Sequence, residues 1–296
     1  MGKLALAALP LSKVKAARVT SSTLSGVKIG VITGSFRRQL PPIAGADNLD
    51  TLIAAMSSIG LSHVELDPSY IKPGPPAPIE SGRGRQNPDA NDDWYVKAPL
   101  DYFKQVRKRL DDAGIELICY NLPGLRGSDA QLNRTFEIAR TLGVTTVSSV
   151  FSLKQAEILV PYAEKHKLLV ALHNHDQVND SYEISTPATF REGMAMSKYF
   201  RVNLDTGHFR AAGCDPIAYI KENHAVITHL HLKDRQKDHG PNRPWGQGDT
   251  PLKEVLLLLR DTKYPIPAAI EYEYRGPGTP VDEVKNCFQY CKQCLA

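Results

Sequence analysis

From Val27 onward, short apolar runs alternate with longer stretches in which apolar residues recur every three or four positions. The runs Val27–Thr33, Ser62–Leu66, Ile115–Asn121, Thr145–Val150, Leu168–His173, Arg201–Asp205, Ile227–Leu232 and Ala268–Glu273 are rich in Val, Ile, Leu and aromatics. Several are bounded by Gly or Pro, and all predict strands. The stretches Asp47–Ser58, Pro99–Ala113, Ser128–Leu142, Leu153–His166, Pro187–Ser197, Pro216–Asn223, Pro251–Thr262 and Val281–Cys294 carry the helical spacing. Gly114 and Gly143 stand where a helix end wants a left-handed residue. Eight strands alternating with eight helices, with no break in composition, predict an α/β fold, a single (β/α)8 TIM barrel over residues 27–296. An open doubly wound sheet would want a Gly-rich phosphate turn after its first strand, and Gly34-Ser-Phe-Arg37 is not one.

Four consecutive strands end in polar residues spaced by two: His173-Asn-His175, Asn203-Leu-Asp205, His229-Leu-His231-Leu-Lys233 and Glu271-Tyr-Glu273. Residues two apart share a face of a strand, so if the apolar partners face the helices, these groups converge at the C-terminal mouth, the catalytic face of such barrels. Buried imidazoles and carboxylates need compensation. Mutual salt bridges would give it, and a divalent cation would give it to several acceptors at once. His173, Asp205, His231 and Glu271 form a two-nitrogen, two-carboxylate set that suits Mn²⁺, Zn²⁺, Co²⁺ or Fe²⁺ better than Mg²⁺; manganese is the leading candidate.

The chain has 296 residues, 42% hydrophobic and 23% charged, with a net charge of +4. That excess is too small to point to nucleic acid or a membrane surface, and no apolar run approaches the ~20 residues of a membrane span. Residues 1–26 read as an N-terminal tail or as the remnant of a secretory signal, in which case the protein works outside the cytoplasm. Cys287, Cys291 and Cys294 have helical spacing, and buried small residues explain them better than a metal or redox cluster, because no second cysteine pair or nearby histidine completes a zinc set. The Pro- and Gly-rich loop Asp67–Val96 is expected to cover the active face, with Tyr70, Trp94 and Tyr95 offering rings to a sugar. Glu65 could reach substrate, orient a metal ligand or form a rim salt bridge. Lys233 and Arg235 could hold a phosphate or sugar hydroxyl, or neutralise acidic neighbours. Trp245-Gly-Gln-Gly248 is explained by a tight turn alone.

Ala171-Leu-His-Asn-His-Asp176, Leu204-Asp-Thr-Gly-His208 with Ala212-Gly-Cys-Asp-Pro216, His229-Leu-His-Leu-Lys-Asp-Arg235, Trp245-Gly-Gln-Gly248 and Ile270-Glu-Tyr272 together resemble the xylose isomerase-like barrel superfamily. In particular, they resemble bacterial proteins named sugar phosphate isomerase/epimerase. The resemblance runs from about Val27 to Tyr274. It implies one divalent metal at the barrel mouth, held by Asp205, His231 and Glu271, with His208 contacting substrate and Arg235 a basic group nearby. Many members have Glu-Asn-His on strand five where this chain has His173-Asn174-His175, which puts His173 at the ligand position and His175 beside the substrate. Ketose 3-epimerases of the superfamily use two metal-bound glutamates, and only Glu271 of that pair remains here.

The resulting expectation is a metal-dependent sugar isomerase or epimerase in which Glu271 abstracts a proton next to a carbonyl, with His175 and His208 as further acid–base groups. The alternative is a lyase that expels water or an aglycone from a keto-cyclitol or 3-keto-glycoside, with His175, His208 or Glu65 protonating the departing group. An apurinic-site endonuclease shares the barrel but needs three zincs and more histidines. A sugar-binding protein without turnover is a further reading. The expected partner is a small carbohydrate; a homo-oligomer is compatible with such barrels, although no exposed patch is legible.

Overall fold

The computed structural model describes residues 18–36, 39–40, 46–73, 93–122 and 128–296. Eight parallel strands form the central sheet: β1 (Val27–Ile32), β2 (His63–Leu66), β3 (Glu116–Asn121), β4 (Thr146–Val150), β5 (Leu169–His173), β6 (Phe200–Asp205), β7 (Ile227–Leu232) and β8 (Ala268–Ile270). Each pairs with the next, and β8 pairs back to β1 through Ile29–Ala268 and Val31–Ile270, so the sheet closes without an edge. The principal helices that follow the strands are α1 (Asn48–Ile59), α2 (Leu100–Asp112), α3 (Asp129–Thr141), α4 (Leu153–His166), α5 (Pro187–Ala195), α6 (Pro216–Asn223), α7 (Leu252–Thr262) and α8 (Pro280–Leu295). The (β/α)8 barrel predicted from the hydrophobic pattern is the fold.

Local chemistry explains the boundaries. Ser128 and Gln131 close a reciprocal capping box on α3. Gly60, with φ of +89°, ends α1 in the left-handed region that a side chain would resist. Strand alternation sends Val170 and Leu172 outward and Ala171 and His173 inward. Leu172 reaches α5 at Gly193, where an added Cβ would come within 2.6 Å of Leu172 Cδ1. Cys287 and Cys291 are buried on α8 within the core.

Three features escape the periodicity. Residues 18–26, expected as tail, are folded onto the barrel floor. Thr23–Leu24 pairs antiparallel with β1, and the turn residues Ser25 and Gly26 both have positive φ, as a two-residue hairpin requires. Ser22 Oγ donates to Ile29 O and accepts from Ser62 N. The preceding residues, 1–17, lie outside the described residues. Two short helices, Asp93–Lys97 and Thr206–Ala211, are too brief to show an apolar repeat.

Asp47 joins α1 to α2. Its Oδ1 accepts the Asp50 amide at the start of α1, and both carboxylate oxygens accept from Arg109 at 2.7 and 2.8 Å. Arg109 also pairs with Asp50. Burial alone would raise the Asp47 pKa, but the Arg109 guanidinium and the backbone amides outweigh it and hold the carboxyl below its ordinary 3.8. A depressed folded pKa contributes stability that is complete above the unfolded value and lost as pH falls through the folded one. Asp47→Ala is therefore expected to cost about 1–2 kcal/mol at neutral pH. Chemical denaturation of both proteins from pH 7 down to pH 3 should show the difference shrinking below about pH 4.

Candidate metal centre at the barrel mouth

The ends of β5 to β8 build the site. The register sets His173 beside Asn203 and Asp205 beside His231, and Glu271 follows directly after β8. The Asn174 side chain locks β5 to β6: its Oδ1 accepts from Asp205 N at 2.9 Å, and its Nδ2 donates to Asp205 O at 3.1 Å. Asp205 then divides its carboxylate. Oδ1 accepts the His208 amide and caps the short helix Thr206–Ala211, which leaves Oδ2 aimed into the barrel. Gly207 is required here, because a Cβ would lie 2.5 Å from Lys233 O.

His173 Nε2, Asp205 Oδ2, His231 Nδ1 and Glu271 Oε2 converge. His173 Nε2 is 3.0 Å from His231 Nδ1 and 3.8 Å from each carboxylate oxygen, and His231 Nδ1 is 2.8 Å from Glu271 Oε2. All four residues are buried and can offer ligand atoms within 4.8 Å of one another. Ligands about 2.1 Å from one ion lie about 3–4 Å apart, so the spacing fits a divalent cation, as does the mixed nitrogen and carboxylate chemistry. Asp205 Oδ2 accepts no hydrogen bond of regular geometry, although it faces the Lys233 ammonium.

Protons and an ammonium balance the buried carboxylates. Burial would lower the His231 pKa, but Glu65 and Glu271 overcome it and push the imidazole up to about 10. Nε2–H donates to Glu65 Oε2 at 2.7 Å, so the Nδ1 proton stands where a cation's charge would stand. His173, pushed down to about 3 by burial and by the charge on His231, is neutral. Burial would raise Glu271, but the Lys233 and His231 charges hold it well below the usual carboxylate range. Lys233 is 1% exposed. Its Nζ is 2.9 Å from Asp205 Oδ2, 3.3 Å from Glu271 Oε1, 2.9 Å from Glu273 Oε2 and 2.9 Å from His208 Nε2.

Two further imidazoles face the cluster. His208 stands between Lys233 at Nε2 and Arg235 at Nδ1. Burial and the Lys233 charge lower its pKa, so the ring is neutral. His175 donates from Nδ1 to Glu183 Oε1 at 2.6 Å and stacks on Phe151 at 4.7 Å. Arg235 is clamped by both oxygens of Asp176 and by Gly240 O. Asp176, Arg235 and His239 line an open cavity of about 400 Å³ that also borders Gln177–Asn179.

The structure thus brings together His173, His175, Asp205, His208, His231, Lys233, Arg235 and Glu271. Glu65 lies deeper, fully buried, with Oε2 at 2.7 Å from His231 Nε2 and 2.8 Å from His229 Nε2. Glu65 is thus held between two imidazoles and closed off from solvent. Glu273 faces Lys233. The aromatic rings expected to stack on sugar are used otherwise. Tyr70 and Tyr95 are buried, Tyr95 OH donates to Pro68 O, and Trp94 packs edge-on against Tyr95, Tyr102 and Phe103. The loop residues 74–92 lie outside the described residues. The Trp245–Gly248 turn wraps the buried Asp234 carboxylate, which accepts from Gly246 N and Gly248 N. Sequence reasoning missed Asp176 and Glu183. The first stands inside the His-Asn-His-Asp stretch and was legible there; the second comes from a loop eight residues beyond His175, which no spacing rule reaches.

Fold and site define a (β/α)8 barrel with a buried His/Asp/Glu group at the C-terminal ends of its strands. The chain belongs to the xylose isomerase-like TIM barrel family, whose model matches residues 29–294. No curated protein sequence matches it significantly. Among solved structures, it is similar to the probable 3-DHS dehydratase AsbF of Bacillus anthracis, with TM-score 0.62 and 15% identity over 89% of this chain and 98% of that one. It is also similar to 3-keto-D-glucoside 4-epimerase from E. coli, with TM-score 0.61 and 15% identity over 90% and 100%. A third similar structure is L-ribulose 3-epimerase, with TM-score 0.61 and 15% identity over 91% and 94%. At these identities the likeness establishes the fold.

If Glu65 orients His231 for a cation, Glu65→Gln should lower Mn²⁺ affinity by about 10–100-fold, measured by calorimetric titration. An unchanged affinity would make the Glu65–His231 contact purely structural.

Proposed function

We propose that this protein is a divalent-metal-dependent enzyme that shifts a proton next to the carbonyl of a ketose or keto-sugar, an isomerase or epimerase. The observation that carries the reading is the convergence of four buried donors, His173, Asp205, His231 and Glu271, on one point among acid–base side chains. These four residues would hold the cation, manganese first among the candidates. Bound there, it would polarise a substrate carbonyl and make the neighbouring C–H acidic.

The chain's own groups supply the rest. Glu271 is ionised and, with its Oε1 facing Lys233, is the carboxylate placed to take a carbon-bound proton. Lys233 would balance negative charge that develops on a substrate oxygen near Asp205 and Glu271. His208, neutral between two cations, can accept a proton only at a cost; its Nε2 faces Lys233 and its Nδ1 faces Arg235, so it would act by holding those two groups at the substrate's edge. His175, with Nδ1 committed to Glu183, presents Nε2 as its free acid–base atom. Arg235, saturated by Asp176 and Gly240, shapes the wall and contributes no unpaired charge for a phosphate.

The lyase reading keeps one specific support. β5 ends in His173, so the two-glutamate exchange of the ketose 3-epimerases has one partner here, and a single base that removes a proton can also drive loss of a neighbouring group. The similar structures include both a dehydratase and epimerases.

The test is a sugar screen with chelated protein and Mn²⁺ add-back. Turnover of ketoses or 3-keto-glycosides at conserved mass is expected; loss of water or an aglycone would select the lyase, and turnover unaffected by chelation would refute the metal. Glu271→Gln should reduce kcat by about 10²–10⁴-fold while sugar affinity stays within about threefold.

A further inference from the structure

The proposed chemistry does not exhaust the role of Lys233. We propose that Lys233 is a built-in counter-cation that occupies the charge position of the metal in the metal-free protein and competes with the divalent ion for Asp205 and Glu271. Glu273 then receives its ammonium when the metal is bound. The inference rests on the metal-site reading above.

The geometry is specific. The Lys233 ammonium is 2.9 Å from Asp205 Oδ2, the same oxygen that joins the four-donor set. It also lies 3.3 Å from Glu271 Oε1, so it touches both carboxylates of that set. Its four-carbon stem lets Nζ move while its backbone cannot. Lys233 O is crowded by the short helix after β6, where even a Cβ on Gly207 would come within 2.5 Å. Glu273 Oε2, at 2.9 Å, lies outside the donor set and is the most exposed of the three carboxylates, at 22%. It is an acceptor that costs the metal nothing. Burying Asp205 and Glu271 without a cation would be severely unfavourable. The arrangement therefore keeps the apo site folded and its carboxylates aligned, and it makes metal affinity moderate, because each ion that enters must displace an ammonium from Asp205 Oδ2.

Calorimetric titration with MnCl₂, together with thermal unfolding of chelated protein, tests this on the wild type, Lys233→Met and Glu273→Gln. Lys233→Met should bind Mn²⁺ at least about tenfold more tightly, while its chelated form unfolds at a lower temperature and recovers on adding Mn²⁺. Glu273→Gln, at the edge of the cluster and suited to folding normally, should bind Mn²⁺ at least about threefold more weakly, because the ammonium is left to Asp205 and Glu271. A purely structural lysine would lower stability without raising affinity, and a substrate-binding lysine would leave affinity unchanged; either result overturns the proposal. If Lys233→Met does not fold, an unchanged or tighter Mn²⁺ affinity in Glu273→Gln overturns it. Absence of Mn²⁺ binding by all three proteins would sink the metal reading and the proposal together, whereas wild-type binding with unchanged variants would sink the proposal alone.

Discussion

The carboxylates of Glu65, Asp205 and Glu271 are buried in and just below the mouth of a closed barrel, and much around them follows from the need to balance their charge. An isolated ionised carboxylate in such a place would protonate or pull in water. Here, each is met by a partner from another strand: Glu65 by His229 and His231 from across the barrel, Asp205 by Lys233 and Glu271 by His231 and Lys233 from the adjacent β7 and its end. The parallel sheet makes this economical. It delivers residues of the same register from adjacent strands to one level, so the residues spaced by two along β7, His229, His231 and Lys233, serve three successive depths. His229 pairs deepest, with Glu65, His231 links Glu65 to the mouth, and Lys233 reaches across the mouth.

On the reading proposed above, the same arrangement that balances the buried carboxylates would also receive a cation. The proton on His231 Nδ1 and the Lys233 ammonium are positive charges held among the donor atoms, and either can yield to a divalent ion. Glu65 remains behind His231 and fixes which nitrogen faces the mouth, while Asp205 is fixed by its own helix cap. On the proposed reading, salt bridging and metal binding, which compete as explanations of a buried His/Asp/Glu group, are two states of one set of side chains.

The fold was legible because a (β/α)8 barrel repeats one pattern: every strand and principal helix carried its own periodicity, and the predicted boundaries fall within a few residues of those observed. The floor hairpin was not legible, since a two-residue strand around Ser25-Gly26 carries no periodic signal. The inward direction of His173, Asp205 and His231 followed from period-two alternation against outward Leu residues. The setting of Glu65 did not follow, because a strand-end glutamate reads the same whether it meets substrate or supports a ligand; only the distance to His231 separates the two. Trp94 and Tyr95 are the converse case. Aromatic rings in a polar loop suggest a stacking platform, yet the short helix Asp93–Lys97 turns them onto the core. Glu183 was invisible because its contact with His175 depends on a loop that folds back against Phe151–Leu153, beyond the end of the adjacent β4.

The central claim is that one cation belongs at the meeting point of β5 to β8. Anomalous scattering from crystals soaked in MnCl₂ tests it most directly. The account predicts a single strong peak per chain about 2.2 Å from His173 Nε2, Asp205 Oδ2, His231 Nδ1 and Glu271 Oε2. A site that takes no manganese and keeps Lys233 seated on Asp205 would contradict it.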